Sequence, residues 1–321
     1  MRESDPPVYE VVIDDAPAYE AAVSFVAYLA TKEQRTLENG VAWARQVRAS
    51  LPAEFAASLE TMAKGKGPAP EELRYISLLV WRCPEPRDPL SFVAWLDGLS
   101  PSSLQDIVRP YLPPADHERA HALGHTHARL AAALAGWNEF YVGTLDPRLA
   151  AGLHANAVAL RALAGTLDPL DLVEVATGGV HIAPRRDLAR VLLVPQWHYW
   201  PWNLIGQFEG LRVMLYPCDA LPAQDGAPPP ALLRLTHALS DGSRLRILRF
   251  VAVAPRSFGD IVRETGLAKS TISYHMVALR AAGLVRVLDG ANDTVSYALR
   301  SEALDDTSAR LSAFLRPTPG P

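Results

Sequence analysis

The feature that most constrains this chain is a ten-residue stretch, LPAQDGAPPP, at Leu221–Pro230. Its prolines and glycine cannot sustain a helix, and its Pro-rich end holds the flanking segments apart. Residues on either side must therefore bury separate cores. With 321 residues and 49% hydrophobic content there is material for both. The expected division is an amino-terminal domain over 1–220, a linker at 221–230, a carboxy-terminal domain over 231–316 and a tail at 317–321. Pro113-Pro114 offers a further split of the first domain into two lobes.

Upstream of the linker the hydrophobic spacing is mainly helical. A strand is expected at Tyr9–Ile13, then helices near Ala18–Thr31, Leu37–Ala49, Ala53–Met62, Glu71–Val80, Pro101–Tyr111, Asp116–Tyr141, Arg148–Ala164 and Leu170–Thr177. GKGP at Gly65–Pro68 and PEPRDP at Pro84–Pro89 read as loops. Val180–Ile182, Val191–Val194 and Leu211–Tyr216 then read as short strands, so a small sheet is appended to a helical body.

The charge is uneven. The whole chain carries a formal −4, yet residues 230–316 hold 12 Lys and Arg against 8 Asp and Glu, while the residues before them hold 19 against 27. An acidic body repels a polyanion, whereas a basic carboxy-terminal region supplies phosphate contacts. No apolar run is long enough to span a bilayer, and the first residues, MRESDPPVYEVVIDD, do not resemble a secretory signal, so a cytoplasmic location and no membrane partner are expected. Cys83 and Cys218 sit in unlike contexts without a Cys-x-x-Cys pair, which points to neither a disulfide framework nor a thiolate zinc site.

After the linker, Ala231–Leu239 forms a helix and SDGSRLRILRFV restarts one, with Leu245, Leu248 and Val251 as its inner stripe. Ser257 and Asp260 have capping-pair spacing for a short helix that ends at Gly266. One turn later, in AKSTISYHMVALRAAGLVRVL, Ile272, Met276 and Leu279 make one apolar stripe. The opposite face carries Lys269, Ser270, Ser273, Tyr274 and Arg280. Helix, tight turn and helix at this length is the arrangement that reads a major groove. LVRVL and VSYAL then flank DGANDT as a hairpin, a wing that sets Arg286 beside phosphates and Asn292 toward the minor groove. A last helix, Glu302–Leu315, aligns Leu304, Leu311 and Leu315. The fold class is thus mainly α with small β: a helical amino-terminal domain with a small sheet, then a winged helix-turn-helix.

ALSDGSRLRILRFV followed by RSFGDIVRETGLAKSTISYHMVALRAAGLVRV resembles the ArsR/SmtB family of bacterial repressors over roughly 80 residues. The match lies in an L-x-D-x-x-R-L-x-I-L opening and an S-x-x-S-x-H-x-x-x-L-x-x-x-G-L-V core. The resemblance implies that Lys269, Ser270, Thr271, Ser273 and Tyr274 face the major groove, and that Leu232, Leu235, Leu311 and Leu315 build a homodimer interface. Arg244, Ser257 and His275 join the candidate DNA contacts, although His275, next to Met276, competes for a packing role. Ala268 departs from the family's capping Ser at a local cost of about 1 kcal/mol. The partners implied are a double-stranded DNA operator, a second copy of the chain and a small-molecule effector.

Many relatives sense metals, but the helix before the reading helix has no Cys and the last helix has no His. DHERAHALGHTH offers another set, because His117, His121 and His125 recur every four residues on one helix face and could hold zinc or a similar ion. A solvated polar face is the plainer reading, so no metal or cofactor is assigned, and a metal-responsive repressor stays as the alternative. A front domain serving only protein interaction is the other. All seven tryptophans precede the linker, three of them in PQWHYWPWN, so Trp197, His198, Trp200 and Trp202 are candidates for an apolar effector pocket, with core packing as the competing role. The LLVPQWHYWPWN segment also makes the front region similar to long amino-terminal domains fused to ArsR-like repressors. No G-x-S-x-G, Walker loop, G-x-G-x-x-G or H-E-x-x-H occurs, and TGGVH at Thr177–His181 is too short to claim a phosphate, so no catalytic residue is expected.

Overall fold

The computed structural model describes residues 8–66, 75–223, 226–289 and 295–316. Its chain is mainly helical and separates into two compact units, residues 1–161 with 185–220, and residues 162–184 with 221–321. One boundary falls between Ala220 and Leu221, where the linker was expected to begin. Residues 162–184, assigned from sequence to the first domain, belong with the carboxy-terminal unit, and the chain crosses between units three times. Asn292, the expected helix start at Glu71 and the tail at 317–321 lie outside the described residues.

The first unit is built on a four-stranded sheet in the order β1-β3-β5-β4, formed by β1 (Glu10–Ile13), β3 (Leu188–Gln196), β4 (Leu204–Phe208) and β5 (Gly210–Pro217). The strands β1, β3 and β5 run parallel, and β4 returns antiparallel to β5 across a tight turn at Gly210, whose φ of 67° suits glycine. Val191–Gln196 of β3 are buried without alternation, the pattern of a strand covered on both faces.

Around this sheet lie α1 (Pro17–Leu29), α2 (Gly40–Ser50), α3 (Ala53–Thr61), α4 (Ile76–Arg82), α5 (Pro89–Asp97), α6 (Pro101–Val108), α7 (His117–Phe140) and α8 (Pro147–Leu163). Helix α1, AYEAAVSFVAYL after its proline, is apolar nearly all round and accordingly buried on nearly all sides, with Phe25 and Tyr28 against Trp137 of α7. Helix α5 was not anticipated. Its start signal was nonetheless present: Asp88 accepts from the amides of Leu90 and Ser91, both at 3.0 Å, and Pro89 takes the first helical position.

The second unit holds α9 (Pro169–Thr177), β2 (Val180–Ile182), α10 (Pro230–Leu239), α11 (Gly242–Val253), β6 (Arg256–Ser257), α12 (Phe258–Thr265), α13 (Lys269–Ala281), β7 (Val285–Asp289), β8 (Val295–Leu299), α14 (Ser301–Asp305) and α15 (Thr307–Leu315). Its core joins Leu235, Ala238, Ile247, Leu248, Val251, Ile261, Ile272, Met276, Leu279, Leu284 and Val285. Leu245, expected on the inner stripe of α11, is exposed, because Arg244, Ile247, Leu248 and Val251 are the residues that turn inward. The expected final helix is two, with Asp306 between α14 and α15.

The sheet of this unit runs β2-β7-β8-β6. The hairpin β7–β8 is the expected wing, and β2 adds a parallel strand along the otherwise open side of β7. The TGGVH segment makes this possible. Gly178, at φ 70°, closes α9, and the carbonyl of Gly179 accepts from the Val287 amide at 2.7 Å. A Cβ on Gly179 would stand 2.9 Å from the Val285 carbonyl oxygen and 2.7 Å from Arg300, so only glycine permits this approach.

Candidate nucleic-acid interface

Helix α12 opens with the expected capping box. The Ser257 hydroxyl accepts from the Asp260 amide at 3.1 Å and donates to the Asp260 carboxylate at 2.7 Å, while that carboxylate accepts from the Ser257 amide. Gly266, at φ 66°, ends the helix and turns the chain into α13. No side chain caps α13, as its Ala268 implied.

The amino-terminal half of α13 then sorts its residues by period. Ile272, Met276 and Leu279 are buried, and Lys269, Ser270, Thr271, Ser273 and Tyr274 are exposed, Tyr274 by 61%. A lysine, three hydroxyls and a phenol stand together on the outward face. This inventory supplies one cation for phosphate oxygens and several donor and acceptor groups for base edges.

Four further candidates are placed elsewhere. Arg244 is only 3% exposed. Its Nε donates to the Ala238 carbonyl at 2.9 Å and its Nη2 to the His237 carbonyl at 2.6 Å, so the guanidinium closes the carboxy-terminal end of α10. His275 is 7% exposed, with Nδ1 4.0 Å from the Asp241 carboxylate, and it packs inside the stripe. Asp241 caps α11 by accepting from the Arg244 and Ser243 amides, which hold its carboxyl below the usual range. Arg280 is partly buried, and burial lowers its pKa against the opposing pull of Tyr297. Ser257 is exposed, but its hydroxyl is occupied by the cap.

Arg286 lies on the wing with its charge already matched. Its Nε and Nη2 donate to Glu174 of α9 at 2.8 and 2.7 Å, and Glu302 lies 3.5 Å away. Hydrogen bonding to Glu174 raises the Arg286 pKa. Arg300 reaches the same carboxylate at 3.4 Å, and His181 of β2 lies 3.8 Å from it. The sequence reading missed this cluster, since Glu174 lies over a hundred residues before Arg286 and reads as one more acid on a polar helix.

The dimer candidates also divide. Leu235 is part of the unit's core and Leu232 is buried, so neither is presented outward. Leu311 and Leu315 are exposed by 40% and 64%, and Leu233 of α10 is exposed as well. Residues 241–287 match a family model described as bacterial regulatory protein, arsR family. The carboxy-terminal unit carries an arsR-family helix-turn-helix. That match covers α11, α12, α13 and the start of the wing, and it supports a DNA-binding transcriptional regulator. No curated protein and no solved structure matches the chain.

In the first unit the aromatic segment forms a buried network. His198 is fully buried, with Nδ1 donating to the Glu20 carboxylate and Nε2 accepting from Tyr141 at 2.6 Å, while the Trp43 indole donates to Tyr141 at 2.8 Å. Burial raises the Tyr141 pKa, so its hydroxyl keeps the proton it donates. Trp197 gives its amide to Glu20, and Trp202 gives its indole N–H to Thr36 at 2.9 Å. Trp200 is half-buried and accepts at its carbonyl from Glu38. These four residues pack and bond, and Glu20 and Tyr141 draw His198 inward.

The histidines of α7 do not converge. His117 Nε2 is 3.3 Å from the Leu112 carbonyl, whereas His121 and His125 approach each other at 3.0 Å with Gln105 on the other nitrogen of His121. Among the described residues no three His, Cys, Asp or Glu side chains are grouped to hold a metal. Both cysteines are free and buried, and burial raises both thiols. Among the described residues no helix is long and apolar enough to cross a membrane.

Proposed function

We propose that this protein is a dimeric repressor that sets the outer face of α13 into the major groove of an operator and releases or holds it according to a small molecule in the first unit. The observation that carries the reading is the sorting of α13, with five polar side chains out and the Ile272–Met276–Leu279 stripe in. Exposed Leu233, Leu311 and Leu315 on α10 and α15 offer an apolar surface for a twofold-related copy. The connection from β2 to β3 supports the coupling, because residues 183–187 alone join a strand of the wing sheet to the central strand of the first unit. An effector that favours one arrangement of β3 thereby biases the wing, a population shift driven by differential affinity.

The test is selection of binding sites from a randomised duplex pool, followed by anisotropy titrations at several salt concentrations. Paired half-sites about one helical turn apart are expected. Lys269→Ala should weaken all sequences and flatten the salt dependence by about 0.9 for each phosphate it no longer neutralises. Ser273→Ala and Tyr274→Ala should instead change which sequence is selected. Unaltered affinity and selection in all three variants would overturn the assignment.

A further inference from the structure

The first unit contains a cavity that is not lined by Trp197, His198, Trp200 or Trp202, although Tyr199 of the same segment borders it. It has a volume of about 410 Å³ and lies among α1, α4 and β4–β5, between Val23, Val26 and Leu29 on one side and Ile76, Leu204 and Leu215 on the other. Close-packed interiors rarely leave voids larger than a water molecule. Three of its lining residues are alanines, Ala22, Ala30 and Ala63, where longer side chains would take up part of the space. Such a volume is within the range of ligand sites, and at about 30 Å³ per water-sized group it holds on the order of 14 non-hydrogen atoms.

The polar residues that line it are Tyr19, Ser77, Tyr199 and the Thr31–Glu33 rim. Tyr19 also borders the space, but its hydroxyl donates to Asp14 at 2.9 Å and faces away from any occupant. Tyr199 is the other phenol, and burial, with Glu33 nearby, pushes its pKa up to about 12, so it presents a neutral hydroxyl. Lys32 and Glu33 stand exposed at the rim beside Thr31, and their opposite charges cancel. A second, smaller hollow of about 190 Å³ differs on both counts, being too small and bordered by three carboxylates, Asp15, Glu20 and Asp146.

We infer that this cavity binds a compact, mainly hydrocarbon or aromatic molecule with one uncharged polar end directed at Tyr199 and the Thr31–Glu33 rim. As the effector site it rests on the regulator reading above; as a binding site it stands independently. A charged ligand is disfavoured because, among the described residues, the charged groups of the lining are the oppositely charged Lys32 and Glu33 at its rim, which together leave no net charge to offset its desolvation.

The experiment uses the full chain and 1-aminoanthracene, a neutral aromatic fluorophore with a single amino group, titrated while its emission is followed. Saturable enhancement with one site per chain is expected. Val26→Trp, which grows into the void, and Thr31→Trp, at an exposed position on the rim, should each weaken binding by about tenfold or more. Leu90→Trp, exposed on α5 and away from the cavity, should not alter it. Anthracene-1-carboxylate should bind at least about tenfold more weakly than the amine. Absence of saturable binding, or equal binding by both Trp variants and the wild type, overturns the site. Equal binding of the carboxylate overturns the preference for a neutral ligand. The DNA titrations are read separately, so a chain that binds the operator but not the probe defeats this inference and leaves the regulator reading intact.

Discussion

Glu174 gives the sharpest test of how the second unit is held together. Its carboxylate accepts two guanidinium hydrogen bonds from Arg286, at 2.8 and 2.7 Å, and lies 3.4 Å from Arg300, all in partly buried surroundings. Removing one partner of a buried pair costs about 3–5 kcal/mol, but an exposed pair is worth about 0–1 kcal/mol. Arg286 remains about a quarter exposed, so an intermediate loss of about 2 kcal/mol follows for Glu174→Gln. The loss should be local. Because two units unfold here, a single global midpoint would blur it, and amide hydrogen exchange is the better measurement. At about 1.4 kcal/mol per factor of ten, exchange at Val287, whose amide donates to Gly179, should accelerate by about 30-fold. The peptides of β2 should follow, while those of β3–β5 should not. Freed Arg286 should also steepen the salt dependence of DNA binding by up to about 0.9 per subunit. Unchanged protection at Val180–Ile182 and Val285–Asp289, or loosening spread evenly over the chain, would refute the argument that this cluster clips α9 and β2 to the wing.

Three other outcomes are expected. Arg244→Ala should destabilise the second unit by about 2–3 kcal/mol, since two carbonyls at the end of α10 lose a charged donor, and Arg244→Lys should not restore it; an unaltered urea transition would place Arg244 back among surface side chains. For Asp15, burial raises the carboxyl, but hydrogen bonds from Arg161 and His154 outweigh it and leave the group below its usual 3.8. Its stabilisation is therefore complete above pH 3.8 and lost as pH falls through the lower folded value, so Asp15→Asn should flatten the acid limb of a stability-versus-pH curve below that point. Leu311→Glu with Leu315→Glu should shift sedimentation to the monomer without changing the far-ultraviolet dichroism; persistent dimers would move the interface elsewhere.

The helix-turn-helix was legible because local signals carried it. The Ser257–Asp260 box, Gly266 and the Ile272–Met276–Leu279 spacing each act within a few residues, and the structure places all three as read. Arg244 and His275 were left between a DNA contact and another role for a different reason. A side chain at the boundary of a stripe can turn either way, and the choice was made by the carbonyls of α10 and by Asp241, neither visible as a pattern. The short strand at Val180–Ile182 was located correctly, yet its partner β7 lies about a hundred residues further on, and pairing at that separation leaves no periodic trace. The cavity escaped for a related reason. Ala22, Ala30 and Ala63 are unremarkable residues one by one, and only the packing of α1 against α4 and the sheet assembles their missing volume. What sequence did offer was the nearly uninterrupted apolar run of α1, a helix too greasy to have a wet side.

The strand contributed by Val180–Ile182 bears on any attempt to transplant the DNA-reading module. A piece cut at the proline stretch would carry the helices and the hairpin, but β7 would lose its neighbour and present a row of unsatisfied amides and carbonyls to whatever strand came by. It would also remove Glu174, the carboxylate nearest both Arg286 and Arg300, and leave Arg286 with the more distant Glu302. Grafted alone, such a piece should clump, and residues 162–184 supplied in trans as a peptide should rescue it.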